Sequence, residues 1–255
     1  MLAVLLLLAA GLLMLPPLPE TVPILEYHMV DTQEDADSHV YNVPPEEFAR
    51  QLDYLQEQGY TTISLLDYMK ARKGKLELPA KPIILTFDDG YEDNYTTVLP
   101  LLEERGMKAT VFMVTNFIGE PTYLDWDELR AMQAYGIEIG SHTANHQPLT
   151  GMTLAESRDE VHLSKLLLEW NGIHTVFAFS YPNGKYDPEL AQLLQDEDYL
   201  AAVTGDAGVN TGHTDPYLLQ RTNIPHPRFG LVEFRLRLLK AQLFTRLGIQ
   251  QHDRY

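Results

Sequence analysis

Pro82-Ile-Ile-Leu-Thr-Phe87 runs straight into Asp88-Asp89-Gly90. A continuous apolar run of this kind reads as a strand buried on both faces, as in a parallel sheet. The two acids and the glycine stop it at a polar turn. A helix is expected next, through 99–105, with Gly106 ending it, and then a strand over 109–114. The pattern repeats downstream. Helices are expected at 126–135, 154–170 and 188–198, and strands at 138–140, 175–180 and 200–204. Upstream, 22–30 reads as a buried strand, 44–59 as a helix opened by two prolines, 61–65 as a short strand and 70–81 as a basic surface connection. Strand and helix alternate, so the strands should be parallel with helical crossovers. The polar motifs all follow strands. That predicts an α/β fold, a barrel of βα units with its site at the strand C-termini.

The chain has 255 residues, enough for one large α/β domain with small appendages. It has no cysteine, which excludes disulfides, thiolate metal sites and a cysteine nucleophile. Its 36 acidic against 19 basic residues give a net charge of −17, so neither nucleic acid nor anionic lipid is an expected main partner. Residues 1–15 carry no charge, and Pro16 and Pro17 follow. That stretch is short of the about 20 residues of a full span and fits a signal peptide or clipped anchor, although no basic residue precedes it. The expected organisation is residues 1–20 as signal peptide or membrane anchor, 21–230 as the main domain, and 231–255 around an amphipathic, locally basic helix at 234–247. An exported or membrane-anchored protein of the extracellular space or cell surface follows from the leader.

Two adjacent aspartates at a strand end are costly to bury charged unless a cation accompanies them. One could hold a metal while its unligated neighbour takes a proton. A helix cap would explain such a pair alone. His142 and His146 change the balance. Their i, i+4 spacing would put both imidazoles on one face of a helical turn, in reach of one ion. One carboxylate and two imidazoles leave positions open for water and substrate. The metalloprotease motif fails, because Thr143 stands where it needs Glu, and the acidic spacing after Asp88 is wrong for a calcium loop.

Thr86-Phe-Asp-Asp-Gly90 and Ser141-His-Thr-Ala-Asn-His146 resemble the first two motifs of the polysaccharide deacetylase family, carbohydrate esterase family 4 or NodB-homology domain. The resemblance runs from about Val22 to about Thr222. It implies a distorted (β/α) barrel and a metal-dependent hydrolase that removes N-acetyl groups from amino sugars of a polysaccharide (peptidoglycan, chitin-like or poly-N-acetylglucosamine). It implies Asp88 as general base and Asp89, His142 and His146 as ligands of a divalent ion, zinc first, with cobalt, manganese or nickel as alternatives. The third motif falls on Ser180-Tyr-Pro-Asn-Gly184 and departs from the family pattern. Ser180 replaces an arginine that would orient the base. Asn183 replaces a tyrosine, and could still offer its backbone N–H to an oxyanion. Arg221 is the candidate substitute for the lost arginine, with a surface arginine as the alternative. Tyr181 and Pro182 are expected to line the sugar groove.

No copy of the family's last motif, which supplies the general acid, follows Arg221; His226 is a poor fit. The front of the chain offers Ile24-Leu-Glu-Tyr-His28, a strand ending in His. This resembles the family branch whose last strand has moved to the N-terminus, and it makes His28 the candidate acid. A non-catalytic carbohydrate-binding barrel and an O-acetyl esterase remain the alternatives.

Overall fold

The computed structural model describes residues 21–32, 39–249 and 251–252. Residues 1–20, and with them the expected leader, lie outside that set. Strands β1 (Ile24–Tyr27), β2 (Thr61–Thr62), β3 (Pro82–Phe87), β4 (Thr110–Met113), β5 (Glu138–Ser141), β6 (Ala178–Ser180), β7 (Ala201–Ala207) and β8 (Leu219–Asn223) are interleaved with helices. These are α1 (Pro45–Glu57), α2 (Leu65–Arg72), α3 (Leu99–Arg105), α4 (Trp126–Tyr135), α5 (Leu154–Trp170), α6 (Pro188–Asp196) and α7 (Leu231–Leu247).

Seven strands close a parallel barrel. Its order is β1-β8-β7-β6-β5-β4-β3, and β3 pairs back to β1 through the register Ile24↔Ile84 to Tyr27↔Phe87. β1 therefore sits between β8 and β3. β2 distorts the ring: it takes the lower half of one β3 edge (Thr61↔Pro82), and β4 takes the upper half (Thr86↔Thr110). A final strand β9 (Gln251–His252) runs antiparallel to β7, so the chain beyond α7 adds to the sheet as well as supplying a helix.

Alternation along the strands separates two cores. Leu25, Tyr27, Leu85, Phe87, Val111 and Phe179 point outward into the layer under the helices. Ile24, Ile84, Phe112, Ala178, Val203 and Leu219 point inward and plug the lower barrel. Phe112 fills so much of that space that a Cβ on Gly140 would stand 2.6 Å from its ring. Two residues further along the same inward face, the plug gives way to Glu26, Thr86, Ser180 and Arg221, all buried. One strand face is thus apolar below and polar above.

Three expectations need correction. Residues 65–72 form a helix, not strand followed by loop. Ser64 and Asp67 cap it reciprocally, and Lys70 and Arg72 complement the negative end of its dipole. Strand β8 was not anticipated, because Leu-Gln-Arg-Thr-Asn has no apolar run; its inward position at 221 carries charge. The last helix begins three residues before 234 and is not amphipathic, since its outward side is also apolar. Helices 126–135 and 154–170 start and stop where the sequence places them, each behind a capping box, at Asp125/Glu128 and Thr153/Glu156.

Candidate active site

The ionisable residues converge at the C-terminal ends of the strands. β1 delivers His28, β3 delivers Asp88 and Asp89, β5 leads into His142 and His146, β6 supplies Ser180, and β8 supplies Arg221. His28, Asp88, Asp89, His142, His146 and Asn183 all line one cavity of about 200 Å³, together with Tyr41 and Tyr91.

Asp88 is 2% exposed and held from three sides. Arg221, itself 1% exposed, grips it bidentately: Nη1 donates to Oδ1 and Nη2 to Oδ2, both at 2.8 Å. Ser180 Oγ donates to Oδ2 at 3.0 Å. The same guanidinium donates to Glu26 at 3.0 Å and to the Thr204 carbonyl at 3.1 Å. Arg221 is therefore a buried partner of the carboxylate, not a surface arginine. Burial alone would raise the Asp88 carboxyl, but the charges of Arg221 and His142 outweigh it and hold it well below the usual carboxylate range.

Asp89 faces the opposite way electrostatically. Burial raises its carboxyl to about 6, against the pull of His28 and with a further push from the Asp88 charge. Its Oδ1 lies 3.6 Å from His142 Nε2 and 3.4 Å from His146 Nε2. Burial lowers both imidazoles, His142 to about 3, so both are neutral near pH 7. His142 Nδ1 donates to the Ser180 carbonyl at 2.8 Å, which leaves the Nε2 lone pair facing the cluster. Three donors at 2.0–2.2 Å from one tetrahedral ion lie about 3.4 Å apart. The donor set and its spacing fit a divalent cation. Glu26, His28 and Asp88 also approach one another closely, but the guanidinium of Arg221 already supplies the positive charge there.

The helical-turn rationale for the two histidines is wrong although the residues converge. They sit in an irregular loop, with Thr143 at φ 69° and His146 at φ 56°. Thr143 Oγ1 accepts from His146 N at 2.9 Å, and Glu160 on α5 accepts from the Ala144 and Asn145 amides at 3.0 and 2.9 Å. Asp89 (φ 73°) and Asn183 (φ 55°) are left-handed too, so four of the six such non-glycine residues among those described cluster at this one site. Backbone strain of roughly 1–3 kcal/mol each persists only where surroundings enforce it.

A family profile described as Polysaccharide deacetylase matches residues 75–202. YxkH of Bacillus subtilis (strain 168), a protein named for the same family, is 31% identical over 206 residues, 81% of this chain and 72% of that one. The chain belongs to the polysaccharide deacetylase family. The poly-beta-1,6-N-acetyl-D-glucosamine N-deacetylase of Escherichia coli (strain K12) is 28% identical over 137 residues, 48% of this chain but only 20% of the relative's length. The structure of Streptococcus pyogenes deacetylase PplD in complex with acetate matches with a TM-score of 0.79 at 27% identity, covering 88% of this chain and 99% of that one.

The profile's span holds Asp88, Asp89, His142, His146 and the third motif of this polysaccharide deacetylase. His28 and Arg221 lie outside it, on the two flanking strands. Tyr181 and Pro182, expected in the groove, are buried instead. Ser180 faces inward to Asp88, so alternation turns Tyr181 outward, where it packs on Phe179 and Tyr186 at ring distances of 5.4 and 5.7 Å. Asn183 does reach the cavity wall, and the adjoining Gly184 (φ 62°) lies so close to Gly205 that a Cβ would stand 2.3 Å from its backbone N. The sequence missed Glu26 and Glu160. Glu26 could have been found from its position two residues before His28, on the same strand face. Glu160 carried no such signal.

Proposed function

We propose that this polysaccharide deacetylase is a divalent-metal hydrolase that removes N-acetyl groups from amino sugars in a polymer. The observation that carries the reading is the pairing of Asp89, His142 and His146, spaced for one cation, with a buried Asp88 clamped by Arg221 in the same cavity. Asp89 and the two imidazoles would hold the ion, zinc first, with cobalt, manganese and nickel chemically admissible. When bound, such an ion supplies Lewis acidity to the acetyl carbonyl and acidifies water.

The chain's own residues do the rest. Asp88 stays ionised, and its Oδ1 accepts one described hydrogen bond, which leaves a lone pair for the attacking water's proton. Arg221 and Ser180 fix the plane of that carboxylate. The backbone N–H of Asn183, on the cavity wall, is the donor we assign to the tetrahedral oxyanion. His28, just after β1 on the cavity wall, is the acid we assign to the departing amine. The amino-sugar substrate is supported by the Escherichia coli relative, a poly-beta-1,6-N-acetyl-D-glucosamine N-deacetylase. The uncharged residues 1–15 support export or anchoring; among the described residues no helix is long and apolar enough to cross a membrane.

Acetate release from chitin oligomers, peptidoglycan and acetylated xylan, with and without chelator, tests the reading. Release from an amino-sugar polymer is expected, abolished by chelation and restored by zinc. Acetate from xylan alone would make the protein an O-acetyl esterase, and no acetate from any polymer would make it a binding barrel. Replacing His28 with Ala should spare ion binding and lower turnover by about 10²- to 10⁴-fold, the range for a lost general acid. Unchanged turnover would remove His28 from the role.

A further inference from the structure

In a chain of net charge −17, the segment 228–246 carries Arg228, Arg235, Arg237, Lys240 and Arg246 against the single acid Glu233. It contains most of α7. Phe234, Leu238 and Ala241 bury one side of that helix against the barrel layer. The opposite side is also apolar. Val232, Leu236 and Leu247 are 61, 54 and 61% exposed, and Leu239 and Leu243 lie between them, half-buried. The steps of four, three, four and four residues make one stripe along the solvent side. Phe229, just before the helix, is 76% exposed at one end of it, and Ile249 is 45% exposed at the other.

At about 100° per residue, Arg235 and Arg246 border one edge of the stripe and Lys240 the other. Arg237 pairs with Glu233 at 2.8 Å, Arg235 lies over the Tyr54 ring at 5.5 Å and Lys240 over the Phe244 ring at 5.1 Å. The far end of α7 lies beside the chain's entry into the barrel: Val209 N donates to Thr245 Oγ1 at 3.0 Å, and Asn210 N to the Val22 carbonyl at 3.1 Å.

An exposed apolar stripe with cationic borders, on an otherwise acidic protein, matches a surface that is anionic at its face and apolar just beneath. An acidic polymer would account for the arginines but not for the leucines. We propose that this face of α7 rests on an anionic phospholipid bilayer, with Val232, Leu236 and Leu247 at the acyl boundary and Arg235, Lys240 and Arg246 among the phosphates.

The absence of cysteine makes the test direct. The full chain carrying Leu236→Cys is labelled with an environment-sensitive fluorophore and mixed with phosphatidylglycerol–phosphatidylcholine vesicles bearing a lipid-borne quencher. The reference is Leu163→Cys, at an exposed leucine of α5 (53%). Quenching at 236 should exceed that at 163 several-fold. It should fall to the reference level in the Arg235→Glu, Lys240→Glu background and on pure phosphatidylcholine. Equal quenching at the two positions, even with the chain bound to vesicles, would overturn the proposal. So would failure to bind the anionic vesicles, or a spectral shift at 236 that depends on protein concentration without lipid, which would assign the stripe to a second copy.

Discussion

An Arg221→Met chain is expected to lose both stability and activity. Removing the guanidinium strands two buried carboxylates, Asp88 and Glu26, whose side chains are 3% exposed. Breaking a buried pair by deleting one partner costs about 3–5 kcal/mol. Whole domains hold only about 5–15 kcal/mol. Chemical denaturation at pH 7 should therefore show a large drop. The loss has a pH signature. Asp88 is held below its unfolded range, so its stabilisation is fully present above about pH 4 and fades as the pH falls toward its folded value. The gap between parent and variant should be widest at neutral pH and narrow in acid. Adding Glu26→Met should recover part of the stability without recovering acetate release, because Asp88 would still lack its clamp. A variant within about 1 kcal/mol of the parent would show that the Arg221–Asp88–Glu26 cluster contributes little to stability.

Replacing Asp89 or His142 with Ala should abolish ion binding and acetate release together. Outer partners of a metal site typically carry 10- to 100-fold in affinity or activity, and losing one of three direct donors should exceed that. Full activity in either variant would sink the assignment. Proton competition gives an independent readout. Without an ion, burial lifts Asp89 to about 6. That contribution favours the folded state below about pH 4 and is lost as the pH rises through about 6. An ion favours the ionised carboxylate and reverses the effect. Added zinc should raise Tm strongly at pH 7–8 and much less at pH 5, and Asp89→Ala should lose the response.

Legibility followed sequence distance. Asp88, Asp89, His142 and His146 could be read because each pair is local and follows an apolar strand. The geometry behind the histidines could not. Spacing of four suggests a helix, whereas the chain bends through two left-handed residues braced by Glu160. Arg221 could be named but not placed, since its carboxylate partner lies 133 residues away and its own strand has no apolar signature. Tyr181 failed for a simpler reason: the inward position belonged to Ser180, and alternation sent its neighbour to the outer core. The last helix shows the converse problem. Its periodicity reads as amphipathic, and only the packed structure shows that the outward face is apolar as well.

The placement of β1 between β8 and β3 also sets a timing. The contact from Arg221 to Glu26 spans 195 residues, and the contact to Asp88 cannot form before β8 exists. During synthesis the proposed ion-binding donors and Asp88 emerge long before the arginine that grips Asp88. Under the proposed mechanism a nascent chain would lack its aligned base until residue 221 is made, so the seam that closes the ring would also complete the site.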